Sequence, residues 1–466
     1  MFELKGRQKD ILALSPMGHN VVLGAAGSGK TTLAVYRAEL LANIDKESKV
    51  LLLTYNTALI SYMKTLTSGQ IPKNIIIEHY HKFARGYLNS LGKMKDNCII
   101  DRKRKEKLIS EAVADLRNTH KDNSTFKRSD ETFFGEIKFI QEFGVASLGE
   151  YEEIERIGRA STNIKRENRK YFYKVYGKYK ELRNTSGYKY DWEDIAYYVN
   201  EELKKDKRKK IYKHVIVDEG QDFSPMMLKS LINLIPEDGS FIFFGDVAQQ
   251  IYGSRLSWRN AGIKIKDDHI WKFENNYRNT KEILEFSKDL IKSEFWRTKV
   301  PEDLISSINP KAAGPKPVLK RFDDQNAELL WLLDALKEFQ NSLTVVVLRT
   351  WKDLEFMQKY LSSNNVQCHV LSDSMNYYGM KKMVFADTYH SVKGIEFENV
   401  FLPFLNKDTF PDVDKIKTST NIEDAWADEL KLLYVAVTRA KQNLIMTYNG
   451  QISPLFPEDS SNYDKR

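Results

Sequence analysis

Short runs of β-branched and aliphatic residues alternate along this chain with stretches whose apolar positions recur every three or four residues. The runs fall at 21–23, 50–53, 75–77, 215–217 and 241–244, then at 345–348, 383–385, 400–402 and 444–446. Within each run the apolar residues are continuous rather than alternating with polar ones, the pattern of strands buried on both faces of a parallel sheet. Parallel strands need crossovers, and the helix-like stretches supply them, so the pattern predicts two α/β cores in tandem. A charged, helix-like region between about 89 and 212, with periodic segments at 107–116, 137–143 and 171–182, interrupts the first set and reads as a helical domain inserted in the first core. The predicted division is 1–88 with 213–268 for the first core, 89–212 for the insertion and 269–466 for the second core. The polar tail 457–466 is expected to fray.

Composition agrees with this division. A chain of 466 residues is too long for one ordinary core and suits two or three domains. There is no apolar run near the ~18 residues of a membrane span, and Met1-Phe2-Glu3-Leu4-Lys5 does not open a signal peptide, so a cytoplasmic protein without membrane contact is expected. Cys98 and Cys368 lack metal-ligand spacing and read as ordinary buried or half-buried thiols. The formal charge of +8 permits a polyanionic partner, and its distribution is more informative. From 165 to 189 there are nine Lys/Arg against two acids, with six aromatics interleaved, the composition of a phosphate-contacting surface. The competing reading is specific. Phe172, Val175, Tyr176, Tyr179 and Leu182 recur at helical spacing and form a buried stripe, leaving Lys170, Lys174 and Lys178 on a solvated face.

The chemistry begins after the first run. Gly24-Ala25-Ala26-Gly27-Ser28-Gly29-Lys30-Thr31 follows a strand and precedes a helix, which is a phosphate-binding P-loop in its proper context. Gly24, Gly27 and Gly29 let the backbone wrap close to phosphates, Lys30 brings a point charge to the β and γ phosphates, and the Thr31 hydroxyl suits Mg²⁺. Ser28 and Thr32 complete the expected contact set. Lys30 is expected on a solvent-facing loop, contributing nothing to the core. Asp218-Glu219-Gly220-Gln221-Asp222 follows the run 215–217, which puts two adjacent acids at the carboxyl end of a buried strand. Asp218 is the candidate Mg²⁺ ligand and Glu219 the candidate base for the attacking water. The run 241–244 leads to Gln249, a candidate γ-phosphate sensor.

Taken in order and spacing, Gln8, the P-loop, Asp218 to Asp222, Gly245-Asp246-Val247-Ala248-Gln249-Gln250-Ile251-Tyr252, Asn276-Tyr277-Arg278, His390-Ser391-Val392-Lys393-Gly394-Ile395-Glu396-Phe397 and Tyr434-Val435-Ala436-Val437-Thr438-Arg439-Ala440 resemble the motif series of UvrD/Rep-type superfamily 1 helicases. The resemblance spans nearly the whole chain. It implies two tandem RecA-like P-loop NTPase cores with parallel sheets, ATP and Mg²⁺ as cofactors, and single-stranded or tailed duplex DNA as the track. It further implies that Gln8 reads the adenine, Tyr277 stacks on it, Glu396 contacts the ribose, and Arg278 and Arg439 reach the γ phosphate. Thr54, Tyr55, Asn56, His81, Phe83 and His390 align with segments lining the family's nucleic-acid channel. For Tyr55 and Phe83 the competing reading is service in the core, and for His81 and His390 that of satisfied structural histidines.

The resemblance has three gaps. The family places a tryptophan two residues beyond the tyrosine equivalent to Tyr252, whereas this chain has Ser254, with Trp258 as the shifted candidate platform. The large helical insertion of the family's second core is essentially absent, and residues 95–160 match no part of the family's pattern. The leading expectation is therefore an ATP-driven DNA helicase or single-strand translocase moving 3′ to 5′. A nucleotide-gated subunit of a repair or anti-phage defence complex resembling Gabija, partnered by a nuclease, is the second reading, and RNA as the track is the third.

Overall fold

The computed structural model of the chain describes residues 8–24, 27–54, 72–121, 123–154, 164–246, 262–263, 269–273, 279–296, 313–371, 382–418 and 422–466. Helix α1 (Gln8–Leu12) leads to β1 (Gly18–Gly24), and α2 (Lys30–Ile44), β2 (Lys49–Thr54), β3 (Ile75–His79) and α3 (Tyr80–Ser90) follow. With β4 (Tyr212–Val217), β5 (Ser240–Gly245) and β6 (Ile270–Phe273) they build a parallel sheet in the order β3-β2-β4-β5-β1-β6. The continuous apolar runs have a direct explanation. Val22, Leu52 and Ile216 face α2, while Val21, Leu51, Leu53 and Val215 enter a second cluster on the opposite face. The central strands thus lose both faces to helices, and alternation has nothing to select for in them.

The insertion consists of α4 (Arg102–Thr119), α5 (Asp130–Phe143), α6 (Leu148–Glu153) and α7 (Arg166–Thr185). It owns a separate core in which Ile109 and Val113 meet Phe133, Ile137, Phe172 and Tyr179. Phe172, Val175, Tyr176 and Tyr179 of the expected stripe on α7 are buried and Leu182 is half-buried, while Lys170 and Lys174 are exposed and Lys178 is half-buried. Helix α8 (Ile195–Lys205) lies inside the region expected to be insertion, yet its Ile195, Ala196 and Val199 pack with α9 (Pro225–Leu234) in the first core's cluster. Strand β6 corrects the other boundary. It pairs with β1, from Val21↔Ile270 to Gly24↔Phe273, so the first core extends past 268.

The second core holds α10 (Lys281–Lys292), β7 (Val318–Phe322), α11 (Gln325–Glu338), β8 (Leu343–Leu348), α12 (Trp351–Ser363), β9 (Cys368–His369), β10 (Met383–Thr388), β11 (Phe397–Leu402), α13 (Val413–Thr418), α14 (Ile422–Val437), β12 (Ala440–Asn449) and β13 (Asp464–Lys465). Its parallel sheet runs β13-β7-β12-β11-β8-β10-β9, again with an apolar cluster on each face. The tail does not fray. Residues Asp464 and Lys465 pair with β7, Tyr463 packs against Phe286 and Phe456, and Asp289 accepts hydrogen bonds from Ser460 Oγ and Asn462 Nδ2. No helix among the described residues is long and apolar enough to cross a membrane.

Candidate nucleotide site and nucleic-acid face

Strands β4, β5 and β1 are neighbours, so their carboxyl ends at Val217, Gly245 and Gly24 lie side by side, where open α/β sheets bind ligands. Beyond β1 the chain passes Gly27 (φ 80°) and Gly29 (φ 83°), left-handed backbone that a Cβ disfavours, and enters α2 at Lys30. Ser28 and Thr32 are buried. Lys30 is buried too, at 7% exposure, which corrects the expectation of a solvent-facing side chain. The lysine folds back over its own loop: Nζ donates to Gly24 O at 2.7 Å and stands 3.9 Å from Asp246 Oδ2.

Across the sheet, Thr31 Oγ1 donates to Asp218 Oδ2 at 2.7 Å. The other carboxylate oxygen of Asp218 is buried without a hydrogen-bond partner among the described residues. Burial and the neighbouring Glu219 push the Asp218 carboxyl well above the usual carboxylate range. A hydroxyl, a carboxylate and an unmatched buried oxygen form the donor set of a hard divalent cation, so these residues fit Mg²⁺. Glu219 behaves oppositely. Burial opposes its ionisation, but the cations Lys393, Lys30 and Arg439 outweigh burial and hold its carboxylate low.

Two of those cations come from the second core. Lys393, in the turn between β10 and β11, is 3% exposed and donates to both oxygens of Asp222, at 2.5 Å each. Burial pushes the Asp222 carboxyl up to about 6 against this pull. Arg439 leaves the end of α14, is 1% exposed, and donates from Nε to Val435 O at 2.9 Å. Asn279 brackets it, donating to Thr438 O at 3.1 Å and Ala440 O at 2.6 Å. The sequence reading passed over Asn279, Asp222 and Lys393, although the last two sit inside its motifs. Charge at a buried position was the available signal. Glu396 is half-buried, with Oε2 2.9 Å from Lys441 Nζ.

On the expected nucleic-acid face, Thr54 ends β2 fully buried, its hydroxyl without a hydrogen-bond partner among the described residues. His81 is half-buried, its Nε2 lies 3.2 Å from Trp192 O, and its ring meets the Trp192 ring edge-on at 5.2 Å. Burial, reinforced by the neighbouring His79, pushes its imidazole below the ordinary range despite that carbonyl. Phe83 is corrected: at 3% exposure it packs among Tyr80, Tyr87 and Tyr212 in the first core, and a ring enclosed in this way offers no face to a base. Trp192, at 37% exposure, is the exposed aromatic beside His81. His390 is half-buried two residues beyond β10. The side chain of Gln8, together with Tyr55, Asn56, Gln249, Tyr252, Trp258, Tyr277 and Arg278, lies outside the described residues.

The basic run on α7 is partly consumed internally. Arg169 donates to the carbonyls of Tyr151, Glu152 and Ile154, and Arg183 is wholly buried. Lys170 and Lys174 flank the Tyr171 ring at 5.3 and 5.7 Å, and Lys178 pairs with Asp115 and Glu181.

Residues 4–278 match the UvrD/REP helicase N-terminal domain, and residues 271–384 and 378–451 match the UvrD-like helicase C-terminal domain. The chain is 25% identical to a probable DNA helicase of Mycoplasma pneumoniae over 92% of its own length and 80% of that protein. It is 27% identical to a probable DNA helicase II homolog of Mycoplasma capricolum, covering 68% of this chain and 44% of the relative. Against DNA helicase II of Haemophilus influenzae the identity is 23%, covering 62% of this chain and 40% of the relative. The chain therefore spans most of the first relative and less than half of the other two.

Proposed function

We propose, from the premise that this chain belongs to the UvrD/Rep helicase family, that it is an ATP-dependent DNA helicase or translocase drawing a single strand 3′ to 5′ through its two cores. The observation that carries this reading is the buried ion pair between Lys393 of the second core and Asp222 of the first, 2.5 Å to each carboxylate oxygen, in the same strand-exit segment as Glu219 and beside the phosphate loop. A phosphate-binding loop alone would suit many nucleotide switches. A cation of the second core paired with a buried carboxylate beside the candidate base suits an enzyme whose turnover changes how two bodies meet.

In this reading Lys30 faces the β and γ phosphates, and Gly24, Gly27, Ser28, Gly29 and Thr32 surround them. Thr31 and Asp218 hold Mg²⁺, which when bound offsets the phosphate charge. Glu219 takes the proton of the attacking water. Arg439 and Arg278 approach the γ phosphate, an arrangement worth ~10³ to 10⁵ in rate in related chemistry, with Gln249 as the sensor. Gln8 and Tyr277 take the adenine and Glu396 the ribose. Tyr55, Asn56, His81, Tyr252, Trp258 and His390 line the track and Trp192 joins them, while Thr54, fully buried at the end of β2, is corrected from a strand contact to a support for the segment that follows it. Aromatic faces stack on bases of any identity at ~1 to 3 kcal/mol each, which suits movement without sequence preference.

The test is steady-state ATP turnover of the parent and of Lys30→Ala, alone and with saturating single-stranded DNA, duplex DNA or RNA, followed by strand displacement from 3′-tailed and 5′-tailed duplexes. Turnover stimulated by single-stranded DNA, lost in the variant, with displacement from the 3′ tail, is the expected result. Turnover indifferent to every nucleic acid overturns the motor, and displacement only from the 5′ tail overturns the polarity.

A further inference from the structure

We propose that Gln221 is a positioning residue for ATP hydrolysis, a clamp that fixes the Glu219 carboxylate to the exit of the neighbouring strand β5. The proposal rests on the reading of Glu219 as the base that activates water.

The local backbone makes a clamp necessary. Glu219 is one of few described non-glycine residues with left-handed backbone, φ 51° and ψ 41°, a conformation that surrounding structure must enforce. Gly220 to Asp222 then form a single 3₁₀ turn. Two glycines bring this turn against β5. A Cβ at Gly220 would fall 2.2 Å from the Phe243 ring, and a Cβ at Gly245 would fall 2.5 Å from the same ring and 3.0 Å from Gln221 Oε1. With both side chains absent, one amide spans the gap.

Gln221 Nε2 donates to Glu219 Oε2 at 2.5 Å, and Gln221 Oε1 accepts from Asp246 N at 2.8 Å. The amide's orientation is determined by its partners, since a backbone N–H needs an acceptor and a carboxylate needs a donor. Gln221 is 6% exposed and Glu219 8%, so little water competes for either bond. The far end of the clamp is itself a charged point of the site, because the Asp246 carboxylate stands 3.9 Å from Lys30 Nζ. Glu219 is thereby held in register with the strand exit that faces the phosphate-loop lysine. Glutamate at 221 would keep an acceptor for Asp246 N–H but set two carboxylates against each other. Methionine would keep the length and abandon both bonds.

The experiment compares Gln221→Met and Gln221→Glu with the parent by kcat and KM for ATP and by thermal midpoint. Both variants should lose roughly 10- to 100-fold in kcat, within the range of a misplaced general base, with KM within about twofold of the parent and a cooperative thermal transition retained at a lowered midpoint. Parent-like kcat in Gln221→Glu would show that the side chain serves only the Asp246 N–H, and would overturn the proposal. A raised KM with parent-like kcat would overturn it as well. The second arm is a double-mutant cycle by single-turnover hydrolysis. In a Glu219→Gln background, Gln221→Met should cost nothing further, whereas an equal cost in both backgrounds would mean that Gln221 does not act through Glu219. Parent-like turnover in Glu219→Gln alone would remove the underlying reading of Glu219, a result separate from those on Gln221. If Gln221→Met loses its thermal transition, Gln221→Asn, one methylene shorter with the same donor and acceptor, replaces it and should also lose kcat.

Discussion

Lys30 and Phe83 show how far a side chain's setting can depart from its motif. A lysine in a glycine-rich loop reads as solvent-facing, but the loop's two left-handed glycines turn the chain so sharply that Nζ lies back over Gly24 O. Phe83 and Trp192 exchange places in the same way, the first enclosed in a core and the second exposed beside His81. Neither outcome is a property of one residue, because exposure depends on which elements pack alongside. At this scale His214 carries a prediction. It is buried between β4 and β5 with Nδ1 2.8 Å from Ser240 Oγ, and burial, reinforced by Lys213 and Arg37, pushes its imidazole down to about 4. The folded state thus binds this proton less readily than the unfolded chain, whose histidine titrates near its ordinary 6.5. Its contribution to stability is complete above that value and is lost as pH falls from there toward about 4. Urea midpoints measured across that window should fall more steeply for the parent than for His214→Gln, and equal slopes would count against a buried neutral imidazole.

Elements were predicted where burial is periodic or continuous, and missed where it is neither. Strand β6 reads Ile270-Trp271-Lys272-Phe273 and buries only Phe273, because it sits at the edge of the sheet, so it lacks the signature of its neighbours. Helix α8 was placed with the wrong body, since an apolar face indicates that a helix packs and leaves open against what. The insertion is joined to the first core by a polar knot that periodicity does not register. Arg183 of α7 donates to Asp194 and lies 3.2 Å from Asp191 Oδ2, while Lys105 of α4 reaches Glu193 and Gln141 Oε1 at 2.8 Å. Tyr179 OH donates to Asp191 Oδ2 at 2.8 Å. Removing one member leaves buried charge uncompensated. Arg183→Met should lose ~3 to 5 kcal/mol of unfolding free energy, with early proteolysis in 95–190 before the second core is cut. Cleavage spread evenly over the chain would mean that the knot does not hold the insertion in particular.

For the whole molecule, the buried Lys393–Asp222 pair is the charged contact that binds second core to first beside the candidate base. Its two ends have unequal alternatives. Lys393→Met leaves Asp222 buried and unmatched, whereas Lys393→Met with Asp222→Asn removes the charge together with its partner. The double variant should therefore have the higher thermal midpoint, although both should turn over ATP at least ~10-fold more slowly than the parent if closure assembles the site. A double variant no more stable than Lys393→Met would show that the pair contributes little to holding the cores together.

The linear pattern of residues established the two-core α/β architecture, because strands covered on both faces must be continuously apolar. It also determined the phosphate loop, the Asp218-Glu219 pair and the family, because their residue types and spacing follow from what a nucleotide requires. Which side chains meet depended on how the elements pack in three dimensions. The Lys393–Asp222 pair, the Gln221 clamp and the knot around Asp191 join residues far apart in the chain or turned by an unusual backbone angle. Local pattern records whether a position is buried, and the partner of a buried charge is fixed by how whole elements pack.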